Sequence, residues 1–141
     1  MNFKDGDMLS VKMLRITKEG SVFLSKKLKK YNIGHGQHAY LLAIADNPKI
    51  TQDFIANHFK TDKANVSRGV AKLVANGYVE YKLRRDDLRC KELTVTEKGT
   101  SIIGDILAAI AEWERKLVEK LTPEEAEQLN SLLSTVEKDS L

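Results

Sequence analysis

A single cysteine, Cys90, excludes an internal disulfide framework. No apolar run approaches the ~20 residues that a helix needs to cross a bilayer, so no membrane partner is expected. Residues 1–8 carry acid early and lack the basic and apolar regions of a secretory signal, which makes the cytoplasm the expected location. Only two prolines interrupt the chain, and there is no repeat, low-complexity stretch or flexible linker. Catalytic patterns are missing as well. Without a phosphate loop, a nucleophile elbow or a paired metal-binding motif, neither an enzyme nor a cofactor is expected. Strong charge of one sign is also absent, the net charge being only +3.

What is present suits one compact domain of 141 residues, with 42% apolar and 30% charged side chains. The charge is unevenly placed. Residues 60–91 hold nine Lys and Arg against four acids, a local +5. Residues 97–141 hold five against ten, a local −5. One end therefore attracts phosphates and the other repels them.

Periodicity predicts helices over Met8–Lys30 and His35–Asp46, the first with an apolar stripe of Leu9, Met13, Ile16, Gly20 and Phe23. Gly20 costs that helix ~1 kcal/mol against Ala, or admits a second helix closely. Two short helices follow in quick succession. Thr51 caps the first, with Phe54, Ile55 and Phe59 facing inward, and Asp62 caps the second, which Gly77 stops. The period then changes to alternation: Val79, Tyr81 and Leu83 on one strand, Leu93 and Val95 on another, around the polar tip Arg85-Asp86-Asp87-Leu88-Arg89. Thr96 caps a long helix to Lys120 with Ile103, Ile106, Ile110, Trp113 and Leu117 in its stripe, widened by Leu107. The last helix opens with the capping box Thr122, Pro123 and Glu125 and carries Leu129, Leu132, Leu133 and Val136 as a buried stripe. The expected fold class is a mostly α (α+β) winged helix-turn-helix. Residues 35–96 form the winged unit, and the helices of residues 1–34 and 97–141 flank it as part of one integrated domain.

On the second helix of the tight pair, Val66, Val70, Leu73 and Val74 face inward, leaving Ala64, Asn65, Arg68, Ala71, Lys72 and Ala75 outward. Small residues beside Asn, Arg and Lys let a helix approach a groove floor, where Asn pairs with adenine and Arg with guanine O6 and N7. Lys63 and Ser67 flank this face. Arg84, Arg85, Arg89 and Lys91 at the hairpin tip then supply a second contact, along phosphates or in the minor groove. The expected partner is double-stranded DNA, with Lys63, Asn65, Ser67, Arg68, Lys72, Arg84, Arg85 and Arg89 as contacts. A winged-helix module that binds protein and not DNA is the alternative. His35 and His38, three apart, and His58 make no ligand set, because no Cys or acid stands at a ligand spacing. Cys90 has basic neighbours that favour a thiolate, but reads as an incidental small residue.

The run Asp87 to Gly99 resembles the wing signature of the MarR (multiple antibiotic resistance regulator) family: D-x-R, a short strand, then L-T-x-x-G. Asp87, Arg89, Thr96 and Gly99 match by type and spacing, while Val95 stands in place of Leu. Residues 62–68 and 76–79 resemble the family's helix-turn-helix, and element order and length agree over nearly the whole chain. The resemblance implies a homodimer whose winged units grip successive major grooves of a pseudo-palindromic operator as a repressor. It also implies that Arg89 enters the minor groove, oriented by Asp87, and that a small aromatic or anionic effector releases DNA. Arg15, His38 and Trp113 are candidates to line the effector's cleft. Apart from the resemblance, the stripes on the terminal helices are long for a core of this size, and unburied apolar surface of that extent finds a partner.

Overall fold

The computed structural model describes residues 7–34, 36–86 and 91–137. Six helices and one hairpin follow in the order α1 (Leu9–Lys27), α2 (Gln37–Asp46), α3 (Gln52–Phe59), α4 (Lys63–Ala75), β1 (Val79–Leu83), β2 (Lys91–Val95), α5 (Glu97–Leu117) and α6 (Pro123–Glu137). A 3-10 turn, Lys29–Tyr31, follows α1, and Asn32 leaves it in the left-handed region, so the first helix ends earlier than its lysine run suggests. Each expected cap forms. The Thr51 hydroxyl accepts from the Phe54 N–H, the Asp62 carboxylate from the Asn65 N–H, and the Thr96 hydroxyl from the Gly99 N–H. Thr122 and Glu125 bond reciprocally at the start of α6, which satisfies two otherwise orphaned donors.

One hydrophobic cluster joins all the elements from the end of α1 to the first half of α5. Leu28, Leu41, Ile55, Val66, Val70, Leu73, Val79, Leu93 and Ile106 are its fully buried side chains. The strands pair antiparallel with Val79 opposite Val95, Tyr81 opposite Leu93 and Leu83 opposite Lys91. Ile50 adds an isolated bridge outside the two strands, its carbonyl accepting from the Leu93 N–H at 2.8 Å. The hairpin meets the core through Val79 and Leu93, while Tyr81 and Leu83, on the same face of β1 as Val79, are exposed.

Two glycines set the helix crossings. A Cβ on Gly69 would lie 2.8 Å from the Tyr40 ring, and one on Gly20 would lie 2.8 Å from the Trp113 indole. The close approach expected at Gly20 is that of α5. A third glycine, Gly99, packs against the Tyr78 carbonyl, where a Cβ would stand 2.2 Å from the oxygen. The Thr96 hydroxyl donates to the Gly77 carbonyl at 2.6 Å, and the Thr96 N–H donates to the Tyr78 carbonyl at 3.0 Å. The T-x-x-G pattern is thus a joint between the end of β2, the start of α5 and the turn after α4.

Several apolar positions differ from expectation. Phe54 and Phe59 remain 48% and 38% exposed, because α3 is peripheral and buries only Ile55 and Ala56 in the core. On α5 the inward face is Ile102, Ile106 and Ala109, which leaves Leu107 and Leu117 exposed. The stripe of α6 is not buried within the chain. Leu129, Leu132, Leu133 and Val136 are all exposed, as are Leu9, Met13, Leu14 and Ile16 on α1. The second half of α1 packs on α5, but the first half of α1 and the stripe of α6 stand clear of the core, left uncovered among the described residues.

Candidate nucleic-acid interface

The turn between α3 and α4 is tight. Lys60 takes a left-handed conformation and the Thr61 N–H donates to the Ala56 carbonyl at 3.0 Å. Val66, Val70 and Leu73 then anchor α4, and its opposite side is exposed from end to end. That side presents Lys63, Asn65, Ser67, Arg68 and Lys72 among Ala64, Ala71 and Ala75, with no acid anywhere in the helix. The five expected α4 contacts therefore share one solvent-facing surface.

Their local bonding is unequal. Lys63 pairs with Asp53 of α3 at 3.3 Å, an exposed pair of little energetic weight. Asn65 is engaged at every polar atom of its side chain. Its Nδ2 donates to Asp62 Oδ2 at 3.2 Å and to Thr61 Oγ1 at 3.5 Å, while its Oδ1 accepts from Arg68 Nη2. Arg84 and Arg85 are exposed beyond the base of the hairpin. Arg84 Nε lies 3.1 Å from the largely buried carboxylate of Glu92 and 3.6 Å from Asp86. Asp87, Arg89 and Cys90, and also His35, lie outside the described residues.

Sequence reasoning did not single out Glu92, Ile50 or Gln37. Glu92 lies opposite Lys82, diagonal to Arg84, so knowledge of the strand register would have exposed it. Ile50 is a lone apolar residue before a cap and carries no periodic signal. Gln37, at the start of α2, is buried with its carbonyl oxygen unpaired beside the Lys72 flank of α4. Among the described residues, no three His, Cys, Asp or Glu side chains converge as a metal site, and no helix is long and apolar enough to cross a membrane.

A groove of about 620 Å³ runs between α2, α3 and α5, lined by Leu42, Phe54, His58, Phe59, Ile103 and Leu107 among others. Phe54 stacks on His58, and Phe59 meets His58 edge-on. Arg15, His38 and Trp113, the expected cleft residues, do not line this groove. Trp113 instead packs on Phe23 at the α1–α5 crossing, with ring centroids 5.7 Å apart. His38 is half-buried, and desolvation lowers its pKa from the ordinary 6.5. Nearby, the Tyr31 hydroxyl donates to the Asp105 carboxylate, which raises its pKa and ties the segment before α2 to α5.

A profile of the MarR family matches residues 31–89, from the turn before α2 to the wing. The HTH-type transcriptional regulator BilQ of Clostridioides difficile (strain CD3) is 28% identical, over 96% of this chain and 93% of its own. Over residues 31–89 the chain is similar to the MarR family, and over nearly its whole length to an HTH-type transcriptional regulator. A solved MarR protein from Peptoclostridium difficile superimposes with a TM-score of 0.90 at 26% identity, covering 99% of this chain and 92% of that one. The structure of an S. aureus MepR–DNA complex shares the fold, with a TM-score of 0.82 and 23% identity over 92% of this chain and 96% of that one. The six helices and two-stranded hairpin agree with the winged helix-turn-helix expected from sequence.

Proposed function

We propose that the chain is a sequence-specific repressor that binds a pseudo-palindromic operator as a homodimer. The observation that carries this reading is the acid-free exposed face of α4, where Lys63, Asn65, Ser67, Arg68 and Lys72 stand among alanines. A helix with small residues between cations and an amide enters a major groove without steric cost and offers donors to guanine and phosphate. Arg84 and Arg85 of the wing, with Arg89 oriented by Asp87, extend the contact to the flanking backbone or minor groove. The MepR–DNA complex supports the assignment by its shared fold.

Residues 35–96 are then the DNA-binding unit, and the helices of 1–34 and 97–141 the dimerisation region. The bare stripe of α6 and the bare first half of α1 support this division, since each loses about 25 cal/mol per Å² of apolar surface left in water. Dimerisation also sets the operator, because a two-fold protein reads half-sites one helical turn, or a multiple, apart. An effector fits the groove between α2, α3 and α5. Its walls are mainly aromatic and aliphatic, with Asp46, Asn47 and His58 as polar lining and no Lys or Arg, so an aromatic compound is better matched than an anion held by ion pairing. To release DNA it must bind the free and DNA-bound conformations unequally.

Selection from random duplexes, followed by a salt titration on the selected site, tests the reading. If ~6–10 phosphates are contacted, affinity falls ~10³–10⁵-fold between about 50 and 200 mM salt. No enriched sequence, or a response flat in salt, refutes DNA binding and favours a protein-binding winged helix.

A further inference from the structure

The outward face of α4 offers two side chains suited to pairing with a base edge, Asn65 and Arg68, and their bonding in the free protein gives them different tasks. To read adenine, an Asn side chain must donate from Nδ2 to N7 and accept at Oδ1 from N6. Both atoms of Asn65 are already committed. Its Nδ2 is held by the Asp62 carboxylate at 3.2 Å and the Thr61 hydroxyl at 3.5 Å, and its Oδ1 receives Arg68 Nη2. Asp62 is itself positioned as the cap of α4, taking the Asn65 N–H at 2.7 Å on its other oxygen. A chain of bonds therefore runs from the cap through Asn65 to the guanidinium. One of the five guanidinium N–H donors of Arg68 is spent on it, and four are left.

We infer that Asn65 is a positioning residue that orients Arg68, and that Arg68 alone of the pair reads a base. The inference rests on the DNA-binding reading above and sharpens it. An arginine on a flexible stem loses rotamer freedom when it engages a guanine, which costs affinity. Holding the guanidinium in the free protein removes part of that cost before DNA arrives. For Asn65 to read adenine, it must first release Asp62, Thr61 and Arg68, which leaves the cap carboxylate with one donor fewer beside a phosphate-lined groove.

The test is a double-mutant cycle on the selected operator, with Asn65→Ala, Arg68→Ala and the double variant. Base preferences of each are measured by repeating the selection, and folding is checked by thermal unfolding. The backbone cap from the Asn65 N–H to Asp62 survives in Asn65→Ala, so α4 still starts in the same place. Per half-site, Arg68→Ala is expected to lose roughly 10–100-fold in affinity and to relax one base position. Asn65→Ala is expected to lose about 3–10-fold, the lost pre-organisation, while keeping the parent's base preferences. In the Arg68→Ala background, Asn65→Ala is expected to lose nothing more. That last outcome separates positioning from a general structural role, in which the Asn65→Ala loss persists whether or not Arg68 is present. Additive losses, a changed preference at a position that Arg68→Ala leaves intact, or parental affinity in Asn65→Ala overturns the inference. Failure of the parent protein to select any duplex removes instead the DNA-binding reading on which it stands.

Discussion

Gly99→Ala separates two effects that oppose each other. In the interior of a helix, Ala is favoured over Gly by about 1 kcal/mol, an upper bound for Gly99, the third residue of α5. Its environment argues the other way. A Cβ there would stand 2.2 Å from the Tyr78 oxygen, 2.7 Å from Val95 Cγ2 and 3.1 Å from the Tyr78 carbonyl carbon. A comfortable carbon–oxygen contact is about 3.3 Å, so the backbone must retreat by about 1 Å. The obstacle is main chain, and no rotamer change relieves it. The same carbonyl accepts from the Thr96 N–H, and the Thr96 hydroxyl bonds the Gly77 carbonyl, so retreat strains the whole joint. Overpacking costs ~1–3 kcal/mol and a weakened hydrogen bond about 1 kcal/mol. After the propensity gain, Gly99→Ala is expected to destabilise by about 1–3 kcal/mol. At about 2–4 °C per kcal/mol for a chain of this size, Tm falls by about 2–12 °C. Gly104→Ala is the internal control: it lies on the same helix with nothing within 4 Å of its added Cβ, and is expected to stabilise by about 0.5–1 kcal/mol. Both variants are compared with the parent by urea and thermal unfolding at one protein concentration, because an associating protein's Tm depends on it. Equal or greater stability in Gly99→Ala refutes the reasoning.

Other consequences are as direct. Burial lowers the pKa of His38 from 6.5, so the folded chain disfavours the proton that the unfolded chain takes up. The stability this supplies is full above the unfolded value and is lost as pH falls through the window below 6.5, so Tm declines on acidification and His38→Gln flattens the decline. A Leu132→Glu, Leu133→Glu double variant, which charges the bare stripe of α6, is expected to sediment at the single-chain mass of 15.9 kDa. Retention of twice that mass rules out α6 as part of the dimer interface. Arg85→Ala, at an exposed position beside the wing, is expected to weaken all duplexes alike and to lower the salt slope by about 2 per dimer. A change confined to one base position contradicts a phosphate role for Arg85.

The sequence by itself determined the elements and the polarity of the molecule. Caps at Thr51, Asp62, Thr96 and Thr122 are local chemistry, legible because the hydroxyl or carboxylate acts within its own first turn. The buried face of α4 is legible for the same kind of reason, since a period of 3.6 is a property of one helix. With its inward side known, the side that carries Lys63, Asn65, Ser67, Arg68 and Lys72 follows. What lay beyond sequence depends on neighbours distant along the chain. Phe54 and Phe59 have the composition of core residues, yet only the peripheral seat of α3 leaves them to wall a groove. The stripe of α6 has core periodicity, but periodicity specifies a covered face without specifying which chain covers it. The pairing of Arg84 with Glu92 needed the strand register, and the engagement of Asn65 with Arg68 needed side-chain directions that the helical wheel does not carry. Tertiary structure also explained the glycine of the T-x-x-G pattern. Its constraint is the Tyr78 carbonyl, twenty-one residues away in the chain and in van der Waals contact in the fold.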